Sequence, residues 1–272
     1  MLELCDFIDR HPRLFVLSGA GVSTDSGIPG YRDSEGLWKR SPPVLLRDFV
    51  SSKSTRQRYW ARSLVGWPVV ANAGPNSAHA ALARLEAEGY VEQLVTQNVD
   101  GLHQRAGSVK VIELHGNLGA VICLDCGARF PRVSIQDALE AQNRWFRDVV
   151  AIAAPDGDAD LQGVDLTSFH VPQCCRCNGM LKPDVVFFGE GVPRERVSAA
   201  GLALSRSDAM LVIGSSLMVY SGYRFCEQAH AMGKPIAAIN LGRTRADPIL
   251  ALKVERPCAE ALGAVVEGLA VA

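Results

Sequence analysis

The sequence predicts an α/β fold of the doubly wound kind, a parallel sheet with helices on both faces, interrupted by a smaller inserted unit. Short apolar, β-branched runs alternate with helical stretches along the 272 residues, and that alternation builds parallel sheets through crossover connections. Two of the runs open directly into small-residue turns, Gly19-Ala20-Gly21-Val22-Ser23 and Gly214-Ser215-Ser216. Open sheets of this kind bind ligands at such strand ends. The third observation is a segment carrying two Cys-x-x-Cys pairs, which breaks the alternation.

Taken in order, Leu14–Ser18 is the first strand and runs into the Gly-x-Gly turn. Residues 32–74, with Trp38, Trp60, Trp67 and many arginines, fit no strand–helix repeat and read as a helical insertion. Ala78–Glu88 is a helix. Val91–Val95 is a buried strand that delivers Thr96-Gln97-Asn98-Val99-Asp100 to the carboxyl edge, and Val111–Leu114 is a shorter strand that delivers His115. Residues 121–180 hold both cysteine pairs. Ala209–Leu217, the helix Tyr223–Met232 and the strand Pro235–Asn240 complete the pattern. The expected division is a sheet domain from 1–31, 75–120 and 181–272, a cofactor loop and helical insertion over 32–74, and a small metal-binding domain over 121–180.

Composition narrows the function. The chain is 48% hydrophobic and 21% charged with a net charge of −1, so no electrostatic case exists for a nucleic-acid or membrane partner. No apolar run approaches the roughly 18 residues of a membrane span. The start, Met1-Leu-Glu-Leu-Cys-Asp, has neither the basic nor the apolar region of a signal peptide. The expectation is a reducing, cytoplasmic setting, where the eight cysteines serve as metal ligands or buried thiols. Oligomeric state is left open.

Each chemical motif has a specific physical use. A Gly-x-Gly turn lets backbone amides approach a pyrophosphate at a helix amino terminus, although the same triplet also makes ordinary turns. Thr24 stands where a dinucleotide fingerprint has its third glycine, and no strand-end acid follows about 20 residues on; hydride-transfer chemistry is therefore a poor match. The turns at Gly214-Ser215-Ser216 and Asn240-Leu241-Gly242 supply further ribose and phosphate contacts. Cys123, Cys126, Cys174 and Cys177 offer four thiolates for tetrahedral zinc, leaving no open position, so the metal is structural. The stretch between the pairs is longer than the roughly 15–20 residues common in zinc ribbons, and Cys175 has the wrong spacing. Cys5, Cys226 and Cys258 read as buried apolar residues. Among six histidines, His115 stands out, placed after a strand and before the metal module, where a cleft between domains concentrates ligand sites. His103 is its nearest rival.

Together these pieces resemble the sirtuins, NAD-dependent protein-lysine deacylases. The resemblance rests on GAGVS at 19–23, GIPGYR at 27–32, TQNVDGLH at 96–103, ELHG at 113–116, the cysteine pairs, KPDVVFFGE at 182–190, GSSL at 214–217 and IN at 239–240. RQRYWARSLVGWP at 56–68, ICLDCG at 122–127 and YSGYRF at 220–225 are most similar to the class II branch, which contains a mitochondrial member.

The resemblance implies a Rossmann-like fold and a set of roles. Gly19, Ala20, Gly21 and Ser23 hold the pyrophosphate of NAD. Gln97, Asn98, Val99 and Asp100, with Ile28, line the nicotinamide and ribose pocket, and Tyr31 and Arg32 lie in the cofactor loop. Gly214, Ser215, Ser216, Asn240, Leu241, Gly242 and Cys258 surround the adenosine half. Val186, Phe188, Gly189 and Glu190 pair with an acylated-lysine protein substrate as an added strand. His115, Asn98 and Asp100 are catalytic, with His115 taking a ribose hydroxyl proton. The chain departs from the family at Gly30, where an Asp is usual, so the role of that carboxylate is open. Tyr59 and Arg62, three apart on one helix face, resemble a Tyr-x-x-Arg pair that grips acidic acyl groups, implying a preference for acyl chains ending in a carboxylate. Two other readings use the same motifs: mono-ADP-ribosyl transfer to a protein, and a non-catalytic NAD-sensing, zinc-containing binding module.

Overall fold

A computed structural model describes residues 2–269 except 32, 34, 36, 38, 40–42, 148, 150, 151, 155, 156 and 162. Strand β1 (Leu14–Ser18) is buried at every position, which fits a strand covered on both faces. It pairs in parallel with β2 (Val91–Thr96) on one side and with β9 (Ala209–Ile213) on the other. Among the described residues the main sheet adds β3 (Val111–Glu113) beyond β2, and β10 (Ile236–Ile239) and β11 (Leu252–Val254) beyond β9. The resulting order, β11-β10-β9-β1-β2-β3, reverses between β1 and β9, and that switch point is where doubly wound sheets bind ligands. Register levels the edge: Ser18 lies opposite both Thr96 and Ile213.

The period-two alternation of the strands sends side chains into two separate cores. Leu14, Val16, Leu211 and Ile239 pack under α1 (Leu2–Arg10), α4 (Ser77–Ala87) and α9 (Cys258–Leu269), together with Leu82, Leu85 and Leu262. Phe15, Leu17, Met210 and Val212 face α7 (Arg194–Arg206) and α8 (Tyr220–Ala231), with Leu204 and Phe225. Helix α4 starts where Asn76 accepts from the Ala78 and His79 amides while His79 accepts from the Asn76 amide, a reciprocal cap.

The phosphate turn differs from the sequence expectation. Gly19–Ser23 does not open a crossover helix. It forms two three-residue 3-10 turns, Ala20–Val22 and Thr24–Ser26, closed by Gly27 at φ +83°. The chain then leaves for the 32–74 segment, and α4 supplies the crossover to β2 only afterwards. Strand β11 was also not read from the sequence; three partly buried residues carry too short a pattern.

The second layer of structure gathers two segments that are far apart in sequence. Strands β4 (Gly116–Cys123), β5 (Arg129–Pro131) and β8 (Leu181–Val185) make an antiparallel sheet in the order β5-β4-β8, and β6 (Ile152–Ala154) pairs with β7 (Asp158–Asp160). Helix α2 (Leu46–Ser51) precedes α3 (Lys53–Asn72), whose first turn is capped by Ser52 accepting from the Thr55 amide at 3.2 Å. Phe49, Trp60, Ala61 and Leu64 from these helices share one apolar cluster with Val121, Leu139 of α6 (Arg132–Gln142), Phe169, Leu181 and Phe187. Helix α5 (Leu102–Arg105) lies where Leu102, Val99, Ile28 and Leu118 meet.

At the tip of the small sheet the four paired cysteines converge. Their sulfurs lie within 4.8 Å of one another, with Cys123 and Cys177 at 3.5 Å and Cys126 and Cys174 at 3.7 Å. Zinc–sulfur bonds of about 2.3 Å in a tetrahedron demand sulfur–sulfur edges of about 3.8 Å. The donors therefore fit zinc. The Met180 amide donates to Asp125 at 2.7 Å, locking one knuckle onto the other, and Cys175 stands outside the cluster. Structural zinc binding is coupled to folding. Elemental analysis is expected to find one zinc per chain, retained in Cys175→Ser and lost in Cys126→Ser. The latter should also show a broadened, lower thermal transition and reduced activity.

Candidate active site

The carboxyl edge of the main sheet and the loop after β8 enclose a cleft of about 710 Å³. Its floor is the crossing of two turns. The Gly21 amide donates to the Gly214 carbonyl at 2.8 Å, and the Gly19 amide to that of Ile213 at 3.0 Å. A β-carbon on Gly21 would lie 2.8 Å from the Gly214 α-carbon, and one on Gly214 would lie 2.5 Å from the Val22 amide nitrogen. Only glycine permits backbones so close, and Gly214 also needs its φ of +61°. With no side chain on Gly19, Gly21 or Gly214, a pyrophosphate in the cleft that they line can approach the backbone closely. Gly19, Ala20, Gly21, Tyr31, Ser215, Ser216, Asn240, Leu241 and Cys258 all line this cavity.

Behind the floor runs a network of buried polar groups. Asn98 donates through Nδ2 to the Gly19 carbonyl at 3.1 Å and to Ser23 Oγ at 3.0 Å. Ser23 Oγ donates to Asp100 at 2.7 Å, and Asp100 also accepts from the Leu102 amide at 2.9 Å. Ser23 and Ile28 are buried and, like Asp100, do not line the cleft; Ser23 bonds Asn98 and Asp100, and Ile28 shares an apolar cluster with Val99. Gly242 likewise turns away: its carbonyl accepts from Asn240 at 3.3 Å. Arg32 lies outside the described residues.

His115 sits at the meeting of the two sheets. Nδ1 must carry a proton, because it donates to the Gln97 carbonyl at 2.9 Å. Nε2 is therefore the acceptor, and Ser221 donates to it at 2.8 Å. Burial, with the charges of Arg196 and Arg224, depresses the imidazole to about 4, so it is neutral through the physiological range, with its Nε2 lone pair accepting from Ser221. His103 occupies a different environment. Only 1% exposed, it is bonded through Nε2 to Ser18 at 2.8 Å, is pushed down to about 3 by burial, and does not line the cleft.

The opposite wall is residues 185–192, including Val186, Phe188, Gly189 and Glu190. Its conformation depends on Lys182, a residue that the sequence reading quoted without a role. Lys182 is 3% exposed, pairs with Glu190 at 3.1 Å and lies 4.8 Å over the Phe187 ring. Glu190 in turn accepts from the Phe187 amide at 2.8 Å. A buried ammonium so paired cannot be released cheaply, and the pair fixes the curve of the loop beside the cleft.

Tyr59 and Arg62 are not brought to the cleft lining. The Tyr59 ring packs among Phe49, Trp60 and Phe187, and burial pushes its phenol above the ordinary value. Arg62 donates to Asp158 at 2.6 Å and to the Ala159 carbonyl at 2.8 Å, tying β7 to α3. Sequence reasoning also missed Ser221, Arg224 and Arg256, which line the cleft. The first two lie in YSGYRF, a motif noted for its likeness and not for its chemistry.

The Sir2 family model matches residues 19–221. An NAD-dependent protein deacetylase of Xanthomonas campestris pv. campestris (strain 8004) is 61% identical over 95% of this chain and 88% of its own length. The NAD-dependent protein deacetylase 2 of Bradyrhizobium diazoefficiens is 59% identical over 96% and 95%. Among solved structures, one of Sir2 with a p53 peptide and NAD+ superposes with a TM-score of 0.80 at 31% identity, covering 99% of this chain and 98% of that one. One of Sir2 bound to acetylated peptide also gives 0.80, at 30% identity over 100% and 99%. The ordered motifs, the cysteine cluster and the match along most of the length lead to one conclusion: this chain belongs to the Sir2 family.

Proposed function

We propose that this protein removes acyl groups from lysine side chains of other proteins, consuming NAD as co-substrate and releasing nicotinamide. The observation that carries the reading is His115: a neutral imidazole, fixed in one tautomer, that lines the cleft together with the glycine crossing, the 185–192 wall and Ser221, which donates to its acceptor nitrogen. Support comes from relatives named as NAD-dependent protein deacetylases at 59–61% identity. When bound, NAD supplies an anomeric carbon that the acyl oxygen can attack as nicotinamide departs. The chain's own part is positioning. The turns at Gly19–Gly21 and Gly214–Ser216 cradle the phosphates, and Asn98 and Asp100, braced by Ser23, orient the nicotinamide and ribose. An acylated lysine peptide lies along residues 186–190 as an added strand, with Phe187 closing the apolar side against water. His115 takes a proton from a ribose hydroxyl at Nε2, which drives that oxygen onto the acyl carbon. The stretches 56–68, 122–127 and 220–225 support placement in the class II branch.

His115→Ala is expected to lower kcat at least a hundredfold, within the usual range for a general base, while NAD binding measured by calorimetry changes little. Retained turnover would remove His115 from the mechanism. Mass spectrometry of an acylated peptide with NAD should show loss of the acyl group; gain of ADP-ribose on the protein would favour the transferase alternative instead.

The pH profile gives a second check. A depressed imidazole is protonated only as pH falls through about 4, so base function persists below the ordinary histidine value. The acid limb of kcat/KM, which reports the free enzyme, is expected well under pH 6. A limb near 6.5 would contradict the buried, cation-flanked environment.

The acyl preference follows from Arg62. Since Asp158 and the Ala159 carbonyl hold its guanidinium, we assign it to docking the β6–β7 hairpin on α3, and a carboxylated acyl chain gains nothing unless that pair opens. Arg62→Met should reduce turnover of acetyl and glutaryl peptides to the same degree and lower the melting temperature. A loss confined to the glutaryl peptide would restore the specificity role.

A further inference from the structure

The base of this reaction does not stand free. Its acceptor nitrogen is covered by the Ser221 hydroxyl at 2.8 Å, while Nδ1 is spent on the Gln97 carbonyl. Ser221 lies in the first turn of α8, which begins after Val219 without a side-chain cap. A serine at such a place ordinarily serves backbone amides, yet this one turns to the histidine. Its neighbour packs closely: a β-carbon on Gly222 would lie 2.5 Å from Gln97 Oε1, so a larger residue there would displace the Gln97 amide group that bonds Ser215. One turn along α8, Arg224 also lines the cleft and has a buried Nε with no hydrogen-bond partner among the described residues. Its guanidinium lies 5.3 Å over the Tyr220 ring.

We propose that Ser221, with Arg224 one turn away, is a positioning device that holds the His115 imidazole in its acceptor tautomer until a ribose hydroxyl replaces the serine hydroxyl on Nε2. The inference deepens the deacylase reading and rests on it. The exchange is balanced: one O–H donor leaves Nε2 and another arrives, Ser221 keeps its proton throughout, and only the ribose hydroxyl is deprotonated. Two kinds of group bear on the imidazole. The Gln97 carbonyl, following β2, favours protonation; Arg196 of α7 and Arg224 of α8 oppose it, as does burial. Ser221 donates to the neutral ring, and its hydroxyl can turn to accept from Nε2–H once the ring is protonated, so it orients the imidazole without fixing its charge.

The test is nitrogen-15 NMR of the His115 ring in the unliganded protein, with its signals identified by their absence in His115→Ala. In the wild type, Nε2 is expected to show the shift of a hydrogen-bonded acceptor. Ser221→Ala is expected to move that signal toward a free acceptor and to lower kcat about tenfold, the size of one hydrogen bond, with little change in KM. Ser221→Thr, which keeps the hydroxyl, should stay at the wild-type values. Arg224→Gln should raise the pH at which the ring protonates and Arg224→Lys should not. An unchanged Nε2 signal in Ser221→Ala, or equal changes in the alanine and threonine variants, would overturn the proposal. Wild-type protein inactive on acylated peptides with NAD would instead overturn the deacylase reading, a result the spectra do not depend on.

Discussion

Gln97 ties the site together. Its amide donates to the Ser18 carbonyl at 3.0 Å, continuing the β1–β2 ladder one residue past the strand. Its side-chain nitrogen reaches Ser215 Oγ at 2.8 Å, binding the turn after β9. Its carbonyl holds His115, and its side chain abuts Gly222 at the start of α8. Four pieces of chain that meet at the sheet's carboxyl edge are thus set relative to one another by one residue. If it shifted, both His115 and the serine bonded to it would shift too.

The two bodies that form the cleft are stabilised by different physics. The main sheet is held by two dry cores on its two faces, where alternating strand residues pack under helices. The smaller body gathers residues from two inserted segments into one cluster, closed at its tip by four sulfurs at zinc-binding distance. The 185–192 wall leaves the end of β8 and belongs to both bodies. The Val186 amide donates to the His115 carbonyl at 2.7 Å, and the buried Lys182–Glu190 pair fixes the curve beyond it. Wall and base are therefore coupled directly through the backbone.

Polar groups around the site are organised before any ligand arrives. Asn98, Ser23 and Asp100 bond to one another, and His115 has both ring nitrogens engaged. Such preorganisation spares the cost of orienting dipoles during reaction. It also means that a ligand must exchange hydrogen bonds as it enters, and Ser221 is the clearest case.

How much was legible in the sequence depended on the range of the interaction. The glycine turns, the strand runs that end in them, the cysteine pairs and the Glu113-Leu114-His115-Gly116 stretch all have a meaning set by local conformation or by the chemistry of the residue itself. These sufficed for the sheet class, the glycine turns at the cleft and the four clustered sulfurs. Spacing could not separate His115 from His103, because both lie just beyond strand β2 or β3; the difference is that one faces the cleft and the other Ser18. Nor could it see that Arg62, well placed on a helix face to grip a carboxylate, is already held by Asp158. The partner of a charged or polar side chain comes from another part of the chain, and only the tertiary structure decides which groups are left free to meet a ligand.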